Sequence, residues 1–235
     1  MSQTNEEIKT FMIETEALNY LKEKDPALGA VIDELGPIHR TLRPNLYAAL
    51  VNSIIGQQIS TKAQQTIWKR LEDSTGEVTP EKLISLTDDE IQSIGISFRK
   101  VSYIKEASRR IIAGEVDLKA LQTMTNEEVT LELSRLKGVG VWTAEMLMIF
   151  SMGRPDILSW DDLAIHRGLR MLYHHRRITK PLFEKYKRRY SPYASTASLY
   201  LWEIAGGALP EMKDYAPLTE AEKKKRSRSR RETTK

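Results

Sequence analysis

Leu136–Gly168 reads LKGVGVWTAEMLMIFSMGRPDILSWDDLAIHRG, and the reading of this stretch decides the rest. Gly138 and Gly140 flank one valine, a spacing that suits a tight turn with unusual dihedrals. Val141 to Phe150 follows as a nearly all-apolar run, the pattern of a central, buried helix. The run breaks at Gly153-Arg154-Pro155, and Asp161 and Asp162 then precede another helical pattern. A helix that opens at a glycine turn points backbone amides outward. With the positive end of the helix dipole, those amides make a site for an anion such as phosphate. A phosphate grip followed by a carboxylate implies a protein that holds a backbone and does chemistry nearby.

Outward from this stretch, helix signals recur. Residues 1–24 read as an acidic start and then a helix, with Phe11, Leu18 and Leu21 on its apolar face. Pro26 opens a second helix that ends near Gly36-Pro37. Leu46, Leu50, Ile54 and Ile55 recur at helical spacing. Ser60 is placed as an N-cap, Thr79-Pro80 as a helix start, and Thr87–Glu90 and Thr125–Glu128 as capping boxes. Ser97 begins a longer helix with Phe98, Val101, Ile104, Ala107 and Ile111 as its inner stripe. Further helices are expected over 162–173, 180–189 and 193–205. No period-two strand pattern emerges, so the expected fold is all-α.

Composition sets further bounds. The chain has 235 residues and 40% apolar content, enough for one large domain or two small ones sharing a core. It has no cysteine, which excludes a disulfide scaffold, a thiol nucleophile and a cysteine-ligated iron–sulfur cluster. His39, His166, His174 and His175 form no familiar zinc spacing. No signal peptide or membrane span is read, so an intracellular protein is expected. The net charge of +4 hides an asymmetry, because residues 223–235 alone carry eight Lys/Arg and one Glu. That run reads as a disordered tail, either a solvated end or a nucleic-acid tether.

The run L-x-G-V-G-x-x-T-A, then D-x-x-I at Asp162 and Ile165, resembles the helix-hairpin-helix DNA glycosylases. Trp142-Thr143-Ala144-Glu145-Met146 is similar to the 3-methyladenine DNA glycosylase II branch. The likeness extends from Ile54–Ser60 upstream to Pro192-Tyr193 downstream, covering roughly Arg43 to Gly207. It implies two lobes with the active site in the cleft between them. Residues 1–44 would pack with the C-terminal lobe of 156–215, residues 45–155 would end in the hairpin, and 216–235 would form the tail. It further implies a monomer acting on double-stranded DNA that contains alkylated bases. No cofactor is expected, apart from a monovalent cation at the hairpin carbonyls.

The resemblance places the catalytic acid at Asp162. Breaking an N-glycosidic bond develops positive charge on the sugar, and a fixed carboxylate stabilises that charge and orients the attacking water. Any protein could instead use Asp161-Asp162 as a helix cap. Bifunctional relatives have a lysine two residues after the second glycine. Here that residue is Trp142, so water is the expected nucleophile. Trp142, Met146, Trp160 and Tyr193 are candidate walls of the base pocket, with core packing the alternative for Trp142 and Met146, and an aromatic face attracts a cationic alkylated base by about 0.5–2 kcal/mol. Glu145 is open to two readings, an internal hydrogen bond or recognition of a base edge. Lys137, Gly138, Val139, Gly140 and Val141 should meet the DNA backbone. Gln58 is assigned to fill the gap left by a flipped nucleotide, although two glutamines at a turn are also ordinary surface residues. Ile96 is assigned as a wedge against the opposite strand. The Ser191–Ser195 segment lacks two arginines that relatives often carry there.

Overall fold

The computed structural model describes residue 11 and residues 13–217. The basic run of 223–235 and the acidic residues before Phe11 lie outside the described residues. Twelve α-helices and one 3-10 turn form among the described residues, and no strand does. The chain divides into two compact units. Among the described residues, unit 1 comprises Phe11, Ile13 and His39–Asp161, and unit 2 comprises Glu14–Ile38 and residues 162–217. Phe11, expected on a helix face, instead lies outside any helix. It is buried, and its amide donates to the Arg40 carbonyl at 2.7 Å.

Two helices, α1 (Thr15–Lys24) and α2 (Pro26–Leu35), come first in the chain and belong to unit 2. Unit 1 holds α3 (Leu46–Gly56), α4 (Thr61–Thr75), α5 (Pro80–Ser85), α6 (Asp88–Ser93), α7 (Phe98–Ile112), α8 (Asn126–Ser134) and α9 (Val141–Phe150), with a 3-10 turn at Ala120–Thr123 before α8. Most start where a side chain closes the first turn. Asn45, Ser60, Thr79, Thr87 and Thr125 each accept from a backbone amide three residues on, and the last two form full capping boxes. Such caps contribute about 1 kcal/mol each. The core is built from Leu50, Ile54, Leu71, Leu83, Ile91, Ile104, Val129 and Leu133. The Gly153-Arg154 break is held by the Arg154 guanidinium, which donates to the Leu121 and Met124 carbonyls and to Asn126 Oδ1.

Unit 2 joins α1 and α2 to α10 (Leu163–Tyr173), α11 (Lys180–Tyr190) and α12 (Ala194–Gly206). Helices α10 and α12 approach closely because Gly168 has no side chain: a Cβ there would lie 2.4 Å from the Leu201 carbonyl oxygen. Small residues are also buried at the start of α12, at Ala194, Ser195, Ala197 and Ser198. Asp25 ties three helices together. It caps α2 through the Leu28 amide at 3.1 Å, and its other oxygen accepts from Tyr173 and Arg189, each at 2.6 Å. Asp25 is only 1% exposed, so the guanidinium supplies the countercharge that its burial demands. Burial pushes the Tyr173 and Tyr190 phenols well above their ordinary range, so both remain neutral hydrogen-bonding groups.

Candidate functional site

The hairpin lies between α8 and α9. Gly138 has φ +81°, in the region that favours glycine, and a Cβ there would come 2.4 Å from the Tyr103 ring. Gly140 differs. Its φ is −97° and nothing lies within 4 Å of where its Cβ would be. The sequence spacing suggests unusual dihedrals for the pair, but the fold requires glycine only at Gly138. The open space over Gly140 is instead suited to a ligand that approaches the backbone. Gly140 is the N-cap of α9 and offers no side chain to close the first turn.

The hairpin is braced from the end of α3. Gln57 Nε2 donates to the Gly138 carbonyl at 2.7 Å. Lys100 Nζ in turn donates to the Ile55 and Gln57 carbonyls at 2.8 and 2.7 Å, closing the C-terminus of α3. Burial, with Arg99 nearby, holds the Lys100 ammonium below its ordinary range. Gln58, next in the chain, takes a left-handed conformation with φ 59° and is exposed at this corner. The two glutamines therefore divide their work: Gln57 supports the turn and Gln58 faces out.

The remaining candidates of unit 1 fall in different environments. Trp142 is 44% exposed and Val141 45%, while Thr143, Ala144 and Leu147–Ile149 are buried. Helix α9 is thus central but leaves its first turn open. Val139 is buried and supports the turn from inside. Glu145 accepts a hydrogen bond from Ser159 Oγ, the internal-bond reading of this residue. Met146 and Trp160 are half-buried. Lys137 is exposed and pairs with Glu106 at 3.0 Å. Ile96 is only 2% exposed and belongs to the core, so in this conformation it presents no wedge. Phe98, expected on the inner stripe of α7, is 55% exposed. Sequence has the two reversed: Phe98 stands in the first turn of α7, past the layer that covers Val101 and Ile104.

Asp162 opens unit 2 and is the N-cap of α10. Its Oδ1 accepts from the amides of Ala164 at 2.8 Å and Ile165 at 3.0 Å, and its Oδ2 accepts from Trp202 Nε1 at 3.2 Å. It is 7% exposed, whereas Asp161 is exposed. Fixed donors and the dipole of α10 therefore hold a nearly buried carboxylate in one orientation. Leu163, the next residue, is 84% exposed. Trp202 escapes sequence reading because no local signal marks it: it lies on α12, and only the packing of α12 on α10 brings its indole to Asp162. Tyr193 is the N-cap of α12, and its ring packs edge-to-face with Tyr20, the centroids 5.3 Å apart. The Glu16 carboxylate accepts from its hydroxyl and holds the phenol above its ordinary range. No group of His, Asp or Glu among the described residues is arranged to hold a metal ion.

The chain is similar to several known proteins. Residues 51–193 match the family described as HhH-GPD superfamily base excision DNA repair protein. DNA-3-methyladenine glycosylase 1 of Schizosaccharomyces pombe is 30% identical over 209 residues, which span 86% of this chain and 92% of that protein. The crystal structure of a DNA-3-methyladenine glycosidase from Bacillus halodurans superposes with a TM-score of 0.78 at 32% identity, covering 88% of this chain and 97% of the other. A second structure, the Schizosaccharomyces pombe 3-methyladenine DNA glycosylase in complex with abasic DNA, gives a TM-score of 0.74 at 28% identity, covering 85% and 100%. With the family match spanning more than half its length, this chain belongs to the HhH-GPD superfamily of base excision DNA repair proteins.

Proposed function

We propose that this protein is a monofunctional DNA glycosylase that excises alkylated purines of the 3-methyladenine and 7-methylguanine type. The observation that carries the reading is the Asp162 carboxylate, nearly buried and held by two amides and an indole. The hairpin binds one backbone phosphate at the start of α9. The damaged nucleotide leaves the stack, because the glycosidic carbon is inaccessible within it, and Gln58 takes its place. Trp142, Trp160 and Tyr193 offer aromatic faces, and a base alkylated on a ring nitrogen carries the positive charge such faces attract.

The bond between the sugar and the base nitrogen then breaks, and the electron pair leaves with the base. Alkylation makes that base a good leaving group. The Asp162 charge stabilises the cationic sugar and takes the proton of the attacking water. Products are the free base and an intact abasic strand, since Trp142 stands where a lysine would form a Schiff base. A monovalent cation at the hairpin fits the donor chemistry there. The Leu136 and Gly138 carbonyls each accept one bond, from Val139 N and Gln57 Nε2, and each keeps a second lone pair. The protein binds DNA as a monomer and works where DNA is. No helix among the described residues is long and apolar enough to cross a membrane.

A specific rival is a DNA-binding module in which Asp162 only caps α10, a role its Oδ1 does fill. Asp162→Asn separates the two, because asparagine caps as well as aspartate but carries no charge. Base release from 7-methylguanine DNA should fall about a hundredfold to a thousandfold, equivalent to about 3–4 kcal/mol of transition-state stabilisation. Borohydride should trap no protein–DNA adduct with the wild type. A variant within fivefold of wild type would remove Asp162 from the chemistry, and trapping that keeps pace with base release would make a lysine the nucleophile.

A further inference from the structure

The charge of the chain is unevenly placed in unit 2. Residues 174–190, HHRRITKPLFEKYKRRY, carry seven Lys/Arg and one Glu. Helix α11 buries Phe183, Tyr186 and Tyr190. That spacing turns Lys185 and Arg188 to the opposite face, one helical turn apart, and both are exposed. Arg176 and Arg177 are exposed in the segment that leads into α11, anchored by buried Ile178.

These four cations differ from many others of the chain in having no carboxylate. Arg189 is spent on Asp25 and Lys180 on Glu184. Elsewhere Arg110, Arg135, Lys137 and Arg170 each sit on an acidic side chain. Arg176, Arg177, Lys185 and Arg188 form no ion pair among the described residues. From Lys185 to Arg188 the helix rises about 4.5 Å, over which a duplex presents about two to three phosphate charges.

We propose that this face of α11 and the segment before it form a second nucleic-acid surface, which binds the phosphate backbone of duplex DNA without reading its sequence. It rests on the DNA reading above but lies on a different unit from the hairpin and takes no part in base excision. A membrane surface is the poorer occupant. An interfacial helix needs an apolar face to insert, and the apolar face of α11 is buried within its own unit. None of the large exposed apolar residues lies in 176–188.

The test uses the full chain with Arg176→Ala, Arg177→Ala, Lys185→Ala and Arg188→Ala combined. The control removes the same charge elsewhere: Lys82→Ala, Arg109→Ala, Lys119→Ala and Lys213→Ala, all exposed and forming no ion pair among the described residues. Binding to a lesion-free duplex is measured by anisotropy at several salt concentrations, and thermal melts check that both variants fold. The face variant should bind at least tenfold more weakly near 0.1 M salt. Its log affinity should also depend less steeply on log salt, by about 0.9 for each phosphate that is no longer neutralised. The control should stay within about twofold, and the single-turnover base-release rate at saturating enzyme should be unchanged in both. Equal weakening in the two variants overturns the proposal by reducing it to bulk charge. Weakening confined to phosphatidylserine vesicles, with duplex binding at the control's level, also overturns it. Wild-type protein that binds duplex through this face but releases no base leaves the surface standing and removes the glycosylase reading instead.

Discussion

The indole of Trp202 donates to Asp162 Oδ2 at 3.2 Å, while Asp162 Oδ1 is taken by the Ala164 and Ile165 amides. The carboxylate is thus gripped from two helices, α10 and α12. Trp202→Phe keeps an aromatic ring and removes the donor. A hydrogen bond to a charged group contributes about 1.5–3 kcal/mol. Base release should fall about tenfold or more, with affinity for an abasic duplex changed less than threefold. An unchanged single-turnover rate would show that the two amides alone orient the acid.

The two hairpin glycines should respond differently to alanine. Gly138→Ala meets both a positive φ and the Tyr103 ring, so it should lower stability by about 1–2 kcal/mol. Gly140→Ala meets open space and an ordinary φ, so the melting temperature should hold while abasic-duplex binding weakens. Denaturant melts beside anisotropy titrations check both. Equal stability loss at the two positions would contradict this account of the turn.

Phe98 and Ile96 make a similar pair. Ile96→Ala empties a core position and should cost about 2–4 kcal/mol of stability. Phe98→Ala removes an exposed ring and should leave stability within about 0.5 kcal/mol. Urea melts of the two variants check both values, and an equal loss of stability at the two positions would contradict the difference in burial.

Asp214 accepts from Arg170 Nε at 2.7 Å and Nη2 at 2.6 Å, and the guanidinium holds its carboxyl below the usual range. A depressed folded value means stability that is present above the unfolded value, about 3.9, and lost as pH falls through the folded one. Asp214→Asn should therefore cost about 1 kcal/mol at pH 7 and progressively less below pH 4. Urea melts of both proteins across that range check it. A cost that is constant down to pH 2 would show that shape rather than charge matters at this pair.

Sequence alone determined what lies within a few residues of its signal. Thr87 and Thr125 form capping boxes where S/T-x-x-E predicts them, Ser60 caps α4, and α10, α11 and α12 begin within a residue of their expected starts. A cap is a bond between residues three apart, so the local chain suffices to specify it. The tryptophan in place of a lysine after the hairpin is likewise plain in the sequence, because it is a matter of residue identity. Tertiary structure decided which side each residue faces and which distant groups meet. The apolar period of α7 includes Phe98, but the layer that buries Val101 and Ile104 stops short of its first turn. Gly138 and Gly140 look alike as letters, yet only one lies under the ring of Tyr103, which a different helix supplies. Trp202 reaches Asp162, and Arg189 reaches Asp25, only because helices far apart in the chain pack side by side. Helical periodicity says that a face is apolar; the extent of its burial and its polar partners depend on whatever packs against it.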